Sequence, residues 1–91
     1  IKQGHWPVEL LRLRENARKA PAWQIQKLRA SFRHFSYCQP LLIDQSGLVM
    51  CGSARLQALL AEGYATAPVI VAPSSWSARD IAAFIRFDND F

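Results

Sequence analysis

Between Leu41 and Ala72 the hydrophobic pattern changes period twice, which leaves few architectures open to the chain. "LLID" and "LVMC" are short apolar runs on either side of "QSG", where Gly47 supplies the positive φ that a tight hairpin turn takes. From Ser53 the spacing becomes helical, with Leu56, Leu59 and Leu60 on one side and Gly63 placed as a C-terminal cap. "APVIVA" is short, continuous and rich in β-branched residues, so it reads as a buried strand. Three strands and a helix in so short a span predict one sheet with the helix laid against it.

The flanking segments extend the pattern. "WPVELLRL" has Val8, Leu10 and Leu13 apolar among charges and reads as a short strand or extended lead-in. "RENARKAP" breaks the alternation and forms a loop closed by Pro21. "PAWQIQKLRASFRHF" carries the stripe Ile25, Leu28, Phe32 and Phe35 at helical spacing, with Pro21 in its first turn. Lys27, Arg29 and Arg33 lie off that stripe and face water or a ligand. In "PSSWSARDIAAFIRF", Ser77 and Asp80 form a capping box, and Ile81, Phe84 and Ile85 are expected to face the core. The order β–loop–α–β–β–α–β–α predicts a single compact α+β domain over residues 1–91, a small mixed sheet with about three helices.

Ninety-one residues suffice for one hydrophobic core, and 51% apolar with 20% charged residues is ordinary for a globular chain. No apolar run approaches the roughly 18–20 residues of a membrane span, and "IKQGHWPVEL" lacks the layout of a signal peptide. The expectation is a soluble, cytoplasmic protein with no membrane partner. Lacking an initiator Met, the chain reads as a domain excised from a longer one. Cys38 and Cys51 are too few for a disulfide framework and lack paired zinc spacing, and His5 and His34 have no ligand partners near them in sequence. No metal site is assigned.

The net charge of +4 divides unevenly, +6 through Ser36 and −2 beyond it. A basic half points to a phosphate-bearing partner, with Lys19, Lys27, Arg29 and Arg33 as nucleic-acid contacts. A merely solvated basic helix face accounts for the charge equally well.

The joint between strand and helix, "VMCGSARLQALLAEG", is the strongest candidate site. If Ser53 caps the helix, the amides of Ala54, Arg55 and Leu56 converge on one point, a ready anion site. Arg55 adds a bidentate fork for phosphate oxygens, and Gly52 removes the side chain that would block close approach. Ser53 acting only as a cap, with Arg55 paired to a surface carboxylate, fits the spacing as well.

The order "NARK", "LRASFRHFSYCQPLLID", "GLVMCGSARLQALLAEG", "APVIVA" and a helix ending "DND" resembles the ParB-like nuclease domain of the ParB/sulfiredoxin fold, roughly from Val8 to Asn89. It looks closest to the branch of phage, plasmid and mobile-element proteins and of DNA-methyltransferase fusions. The resemblance implies that Gly52, Ser53, Ala54 and Arg55 contact nucleotide phosphates, with Asn16 and Arg18 lining the same pocket. It also implies a nucleoside triphosphate with magnesium as ligand, and nucleotide or DNA as partner. Gly52 and Arg55 match the family pattern. Ser53 stands where sulfiredoxins carry their catalytic cysteine, and the histidines of the nuclease-like motifs are absent, Ala20 replacing one of them. No residue is therefore assigned a catalytic role, and binding is favoured over catalysis. Asp88 and Asn89 match the family's last motif, with helix termination as the simpler role.

Three functions follow from these readings. The first is a nucleotide- or DNA-binding module that captures phosphates at the N-terminus of the Ser53–Glu62 helix. The second is an enzyme of the same fold, a DNA nuclease, nucleotide hydrolase or kinase. The third is a degenerate module for protein interaction, as a homodimer or with a host protein, through Trp23, Trp76 and Phe91. Tyr37 and the three tryptophans also offer rings on which a base can stack.

Overall fold

The computed structural model describes residues 2–89. In chain order they form β1 (Lys2–Pro7), α1 (Ala22–Phe35), β2 (Leu41–Ile43), β3 (Val49–Cys51), α2 (Ser53–Glu62), β4 (Thr66–Val71) and α3 (Ala78–Asn89). The sheet order is β1-β4-β2-β3. β2 and β4 run parallel, so the chain must cross over between them, and β3 with α2 makes that crossing. The two other pairings are antiparallel. The predicted α+β class, the mixed sheet and the three helices are all present.

Leu41, Ile43, Val49, Ala67 and Val69 form the sheet's share of the core. Phe32 of α1, Leu56, Ala58 and Leu59 of α2 and Leu11 of the lead-in cover it. The hairpin between β2 and β3 is held by one carboxylate. Asp44 Oδ1 accepts from the Ser46 amide at 2.8 Å, the Ser46 hydroxyl at 2.6 Å and the Leu48 amide at 3.0 Å. Burial alone would raise the Asp44 pKa, but those hydrogen bonds and the Arg12 charge outweigh it and hold the carboxyl below its ordinary value. Gly47, as expected, turns the hairpin at φ 93°.

Four expectations need correction. The first strand lies earlier than "WPVELLRL": pairing runs from Lys2 to Pro7, and Val8–Leu10 is a single 3-10 turn. Pro7 closes the ladder, after which the Val8 amide donates to the Ala65 carbonyl at 3.0 Å and the chain turns away. Phe35 leaves the apolar stripe and is 68% exposed, because the helix stops there with Ser36 left-handed at φ 52°. Pro21 precedes α1 as its N-cap residue instead of sitting in the first turn.

The fourth correction concerns α3. Its capping box is present, with the Ser77 amide 2.9 Å from Asp80 Oδ2 and the Asp80 amide 3.2 Å from Ser77 Oγ. Yet Ile81, Phe84 and Ile85 are only half-buried and lie outside the core cluster. Phe84 instead packs against Trp76, ring centroids 5.3 Å apart. Helical spacing shows that a face is apolar and leaves open which surface it meets. Phe91 lies outside the described residues, as do the side chains of Asp88 and Asn89.

Candidate functional site

β3 ends at Cys51, and Gly52 turns the chain into α2 with φ 102° and ψ 24°. Gly52 is the N-cap residue; Ser53, expected to cap, is already the first helical residue. Among the described residues no side chain caps this end. The first bond of the helical ladder runs from the Leu56 amide to the Gly52 carbonyl at 3.0 Å. The Leu56 amide is thus spent inside the helix, and the outward-pointing amides are those of the turn Ser53–Arg55, one residue earlier than expected.

Gly52 is required for two reasons. Its φ is one that L side chains rarely adopt, and a Cβ there would sit 2.6 Å from Leu41 Cδ2 and 3.1 Å from Arg55 Nη2. The space a side chain would take is filled by the Arg55 guanidinium.

That guanidinium is built into the fold. Nη1 donates to the carbonyls of Gln39 at 3.2 Å and Pro40 at 2.9 Å, and Nη2 lies 3.7 Å from Cys51 Sγ. Arg55 therefore ties the approach to β2 onto the start of α2. Its charge nevertheless stays at the helix end. Burial raises the Cys38 thiol pKa, with the Arg55 charge acting against it. Cys38 and Cys51 are free thiols.

Gln57, which the sequence reading did not single out, arranges the other side of the site. Its Nε2 donates to Ser53 Oγ at 3.0 Å and to the Arg18 carbonyl at 3.1 Å, while Oε1 accepts from the Ala20 amide at 2.9 Å. One side chain thus draws the Asn16–Ala20 loop against the first turn of α2. The Arg18 backbone lies next to Ser53, and the side chains of Asn16, Arg18 and Lys19 are exposed. Gln57→Ala is expected to cost about 1–2 kcal/mol, since the Ala20 amide loses its acceptor. Hydrogen exchange at Ala20 should accelerate in that variant, and unchanged exchange would show that the loop is held some other way.

The cations proposed for nucleic acid divide into two groups. Lys19 and Lys27 are exposed. Arg29 Nε lies 2.7 Å and Arg33 Nη1 2.8 Å from Glu62 Oε1, so these two arginines staple α1 to the end of α2. They are less available to a ligand than their position off the stripe implied. Among the described residues no three His, Cys, Asp or Glu side chains cluster as metal ligands. No described helix is long and apolar enough to cross a membrane.

This arrangement of strands and crossover helix is shared with solved structures of the ParB/sulfiredoxin fold. No family model matches the sequence, and no curated protein does. Solved structures do match. The C-terminally truncated chromosome-partitioning protein ParB from Caulobacter crescentus, complexed with CTP-gamma-S, superposes with a TM-score of 0.76 at 20% identity, covering 97% of this chain and 52% of that one. The same truncated protein complexed to the centromeric parS site gives 0.69 at 19% identity, over 94% of this chain and 46% of that one. Sulfiredoxin from Arabidopsis thaliana gives 0.72 at 17% identity, over 81% and 88%. The chain thus spans about half the length of the two partitioning structures, and the likeness is one of fold.

Proposed function

We propose that this is a nucleotide- and DNA-binding domain of the ParB-like type, which captures phosphate at the N-terminus of α2. The observation that carries the reading is a helix opening on a bare left-handed glycine with no side-chain cap and a guanidinium folded over the joint. Such an end gathers backbone N–H groups and partial positive charge at one point. Gly52, Ser53, Ala54 and Arg55 form the cradle, Arg55 acting through its charge and its grip on Pro40. Asn16 and Arg18 stand beside it on the loop that Gln57 holds, and Lys19 and Lys27 supply further positive charge for DNA.

A magnesium ion would arrive with the triphosphate and be held mainly by phosphate oxygens and water. The partitioning protein's complexes with CTP-gamma-S and with parS support both ligand classes. We further place the domain in the cytoplasm, within a longer DNA-associated protein of the phage, plasmid or mobile-element branch.

The test is a titration with CTP, ATP and a short DNA duplex, with and without magnesium, followed by amide chemical shifts. Shifts at Gly52–Arg55 and at Asn16–Lys19 are expected for a nucleotide. Ser53→Asp sets a carboxylate in the first turn, which the helix end tolerates or welcomes by about 0.3–1 kcal/mol. It should keep the fold and abolish the nucleotide shifts. Equal shifts in wild type and Ser53→Asp would remove phosphate from this helix end.

A further inference from the structure

α1 has two opposite faces. Ile25, Leu28 and Phe32 pack on or in the core. On the far side Trp23, Lys27, Ala30 and His34 follow one another at i, i+4, i+7 and i+11, and all four are exposed. Trp23 leaves 68% of its surface to solvent, and at the other end of the helix Phe35 and Tyr37 leave 68% and 64%. No carboxylate lies anywhere in Ala22–Phe35. Arg33 stays 56% exposed while it pairs with Glu62, and Arg18 and Lys19 stand exposed just ahead of the helix.

The ridge therefore runs about 16 Å from the Trp23 ring to the His34 ring with the Lys27 cation between them, and Arg18, Lys19 and Arg33 add charge beside it. The complementary ligand is a polyanion whose own flat faces are open. A single-stranded nucleic acid has both properties, since its phosphates meet the cations while its bases stack on the rings. A duplex hides its base faces and can use only the cations. An apolar protein partner fits less well, because Lys27 interrupts the ridge and Ala30 is its only aliphatic residue.

We propose that the outer ridge of α1 is a platform for single-stranded nucleic acid, with Trp23 as the stacking ring and Lys27 as a phosphate contact. This deepens the DNA-binding part of the reading above and rests on it. It does not depend on nucleotide capture at α2.

The experiment uses the full chain and four labelled probes at low salt: a short thymidine oligonucleotide, an abasic oligonucleotide of equal length, the matching duplex and CTP. Wild type should bind the thymidine strand more tightly than the abasic strand, and the strand should quench tryptophan fluorescence. Trp23→Ala should weaken the thymidine strand roughly ten-fold, and Trp23→Phe should stay within about three-fold of wild type. Duplex and CTP binding should be the same in all three proteins. Equal binding of the thymidine and abasic strands, or no loss in Trp23→Ala, would overturn the platform while leaving DNA binding through charge intact. No binding of either strand or duplex would overturn both the platform and the DNA-binding reading.

Discussion

Replacing Gly52 by alanine is expected to cost about 3 kcal/mol, the largest effect of any single methyl group added at the candidate site. Two penalties add. At φ 102° the backbone is in a region where an L side chain loses about 1–2 kcal/mol. The new Cβ would also lie 2.6 Å from Leu41 Cδ2, and Leu41 is completely buried, so it has nowhere to move without disturbing β2. The Arg55 guanidinium, 3.1 Å away, would be pushed off the Pro40 carbonyl. Thermal unfolding should fall by roughly 12–24 °C. Gly63→Ala is the matching control. Gly63 is also left-handed, at φ 81°, but a Cβ there meets nothing within 4 Å. It should therefore cost only the backbone part, about 1–2 kcal/mol. Equal losses in the two variants would mean that Gly52 is needed for its dihedral angles alone and that close packing at the joint contributes nothing.

The same contacts change what Arg55→Ala can report. As a surface residue Arg55 would leave stability almost unchanged on removal. Half-buried and bonded to two carbonyls, it is instead a structural strut, and a charged hydrogen bond of this kind is worth about 1.5–3 kcal/mol. A loss of ligand binding in Arg55→Ala would confound loss of charge with loss of the joint. Ser53→Asp is the cleaner probe, since among the described residues the Ser53 side chain bonds to Gln57 alone, at 3.0 Å.

What was legible in the sequence follows from the range of each signal. The glycine joint, the Gly47 hairpin, the Gly63 cap and the Ser77–Asp80 box are local, each set within a few residues by φ or by a hydrogen bond to a near neighbour. Those were readable. The helix span Ser53–Glu62 was readable too, because apolar spacing begins and ends there. Gln57 was not, since its partners Arg18 and Ala20 are more than 35 residues away and an exposed-looking glutamine gives no hint of reaching them. The Glu62 pair with Arg29 and Arg33 was hidden in the same way: helical position predicts which residues leave the core and says nothing of which helix lies alongside. β1 was misplaced because apolar alternation in Val8–Leu13 outweighed the weaker pattern of Lys2–Pro7, where pairing with β4 decides the strand.

Phe32 and Ile85 put that distinction to a quantitative test, because both sit at core-like positions of amphipathic helices. Phe32 is 4% exposed and belongs to the core. Its ring meets Tyr64 edge-on, centroids 6.3 Å apart, so it fastens α1 to the segment that follows α2. Phe32→Ala is expected to cost about 3–5 kcal/mol. A domain of this size has only about 5–14 kcal/mol to lose, so the variant should be marginal at best, with Phe32→Leu recovering most of the loss. Ile85 is half-buried on α3, outside the core cluster. Ile85→Ala should cost no more than about 1 kcal/mol, because little apolar surface is uncovered and no closed cavity forms. Urea denaturation of the two variants decides the matter. A loss at Ile85 comparable to that at Phe32 would mean that α3 shares the core and that its spacing had been the better guide. A small loss would leave α3 as an appended helix outside the core that β1–β4, α1 and α2 share.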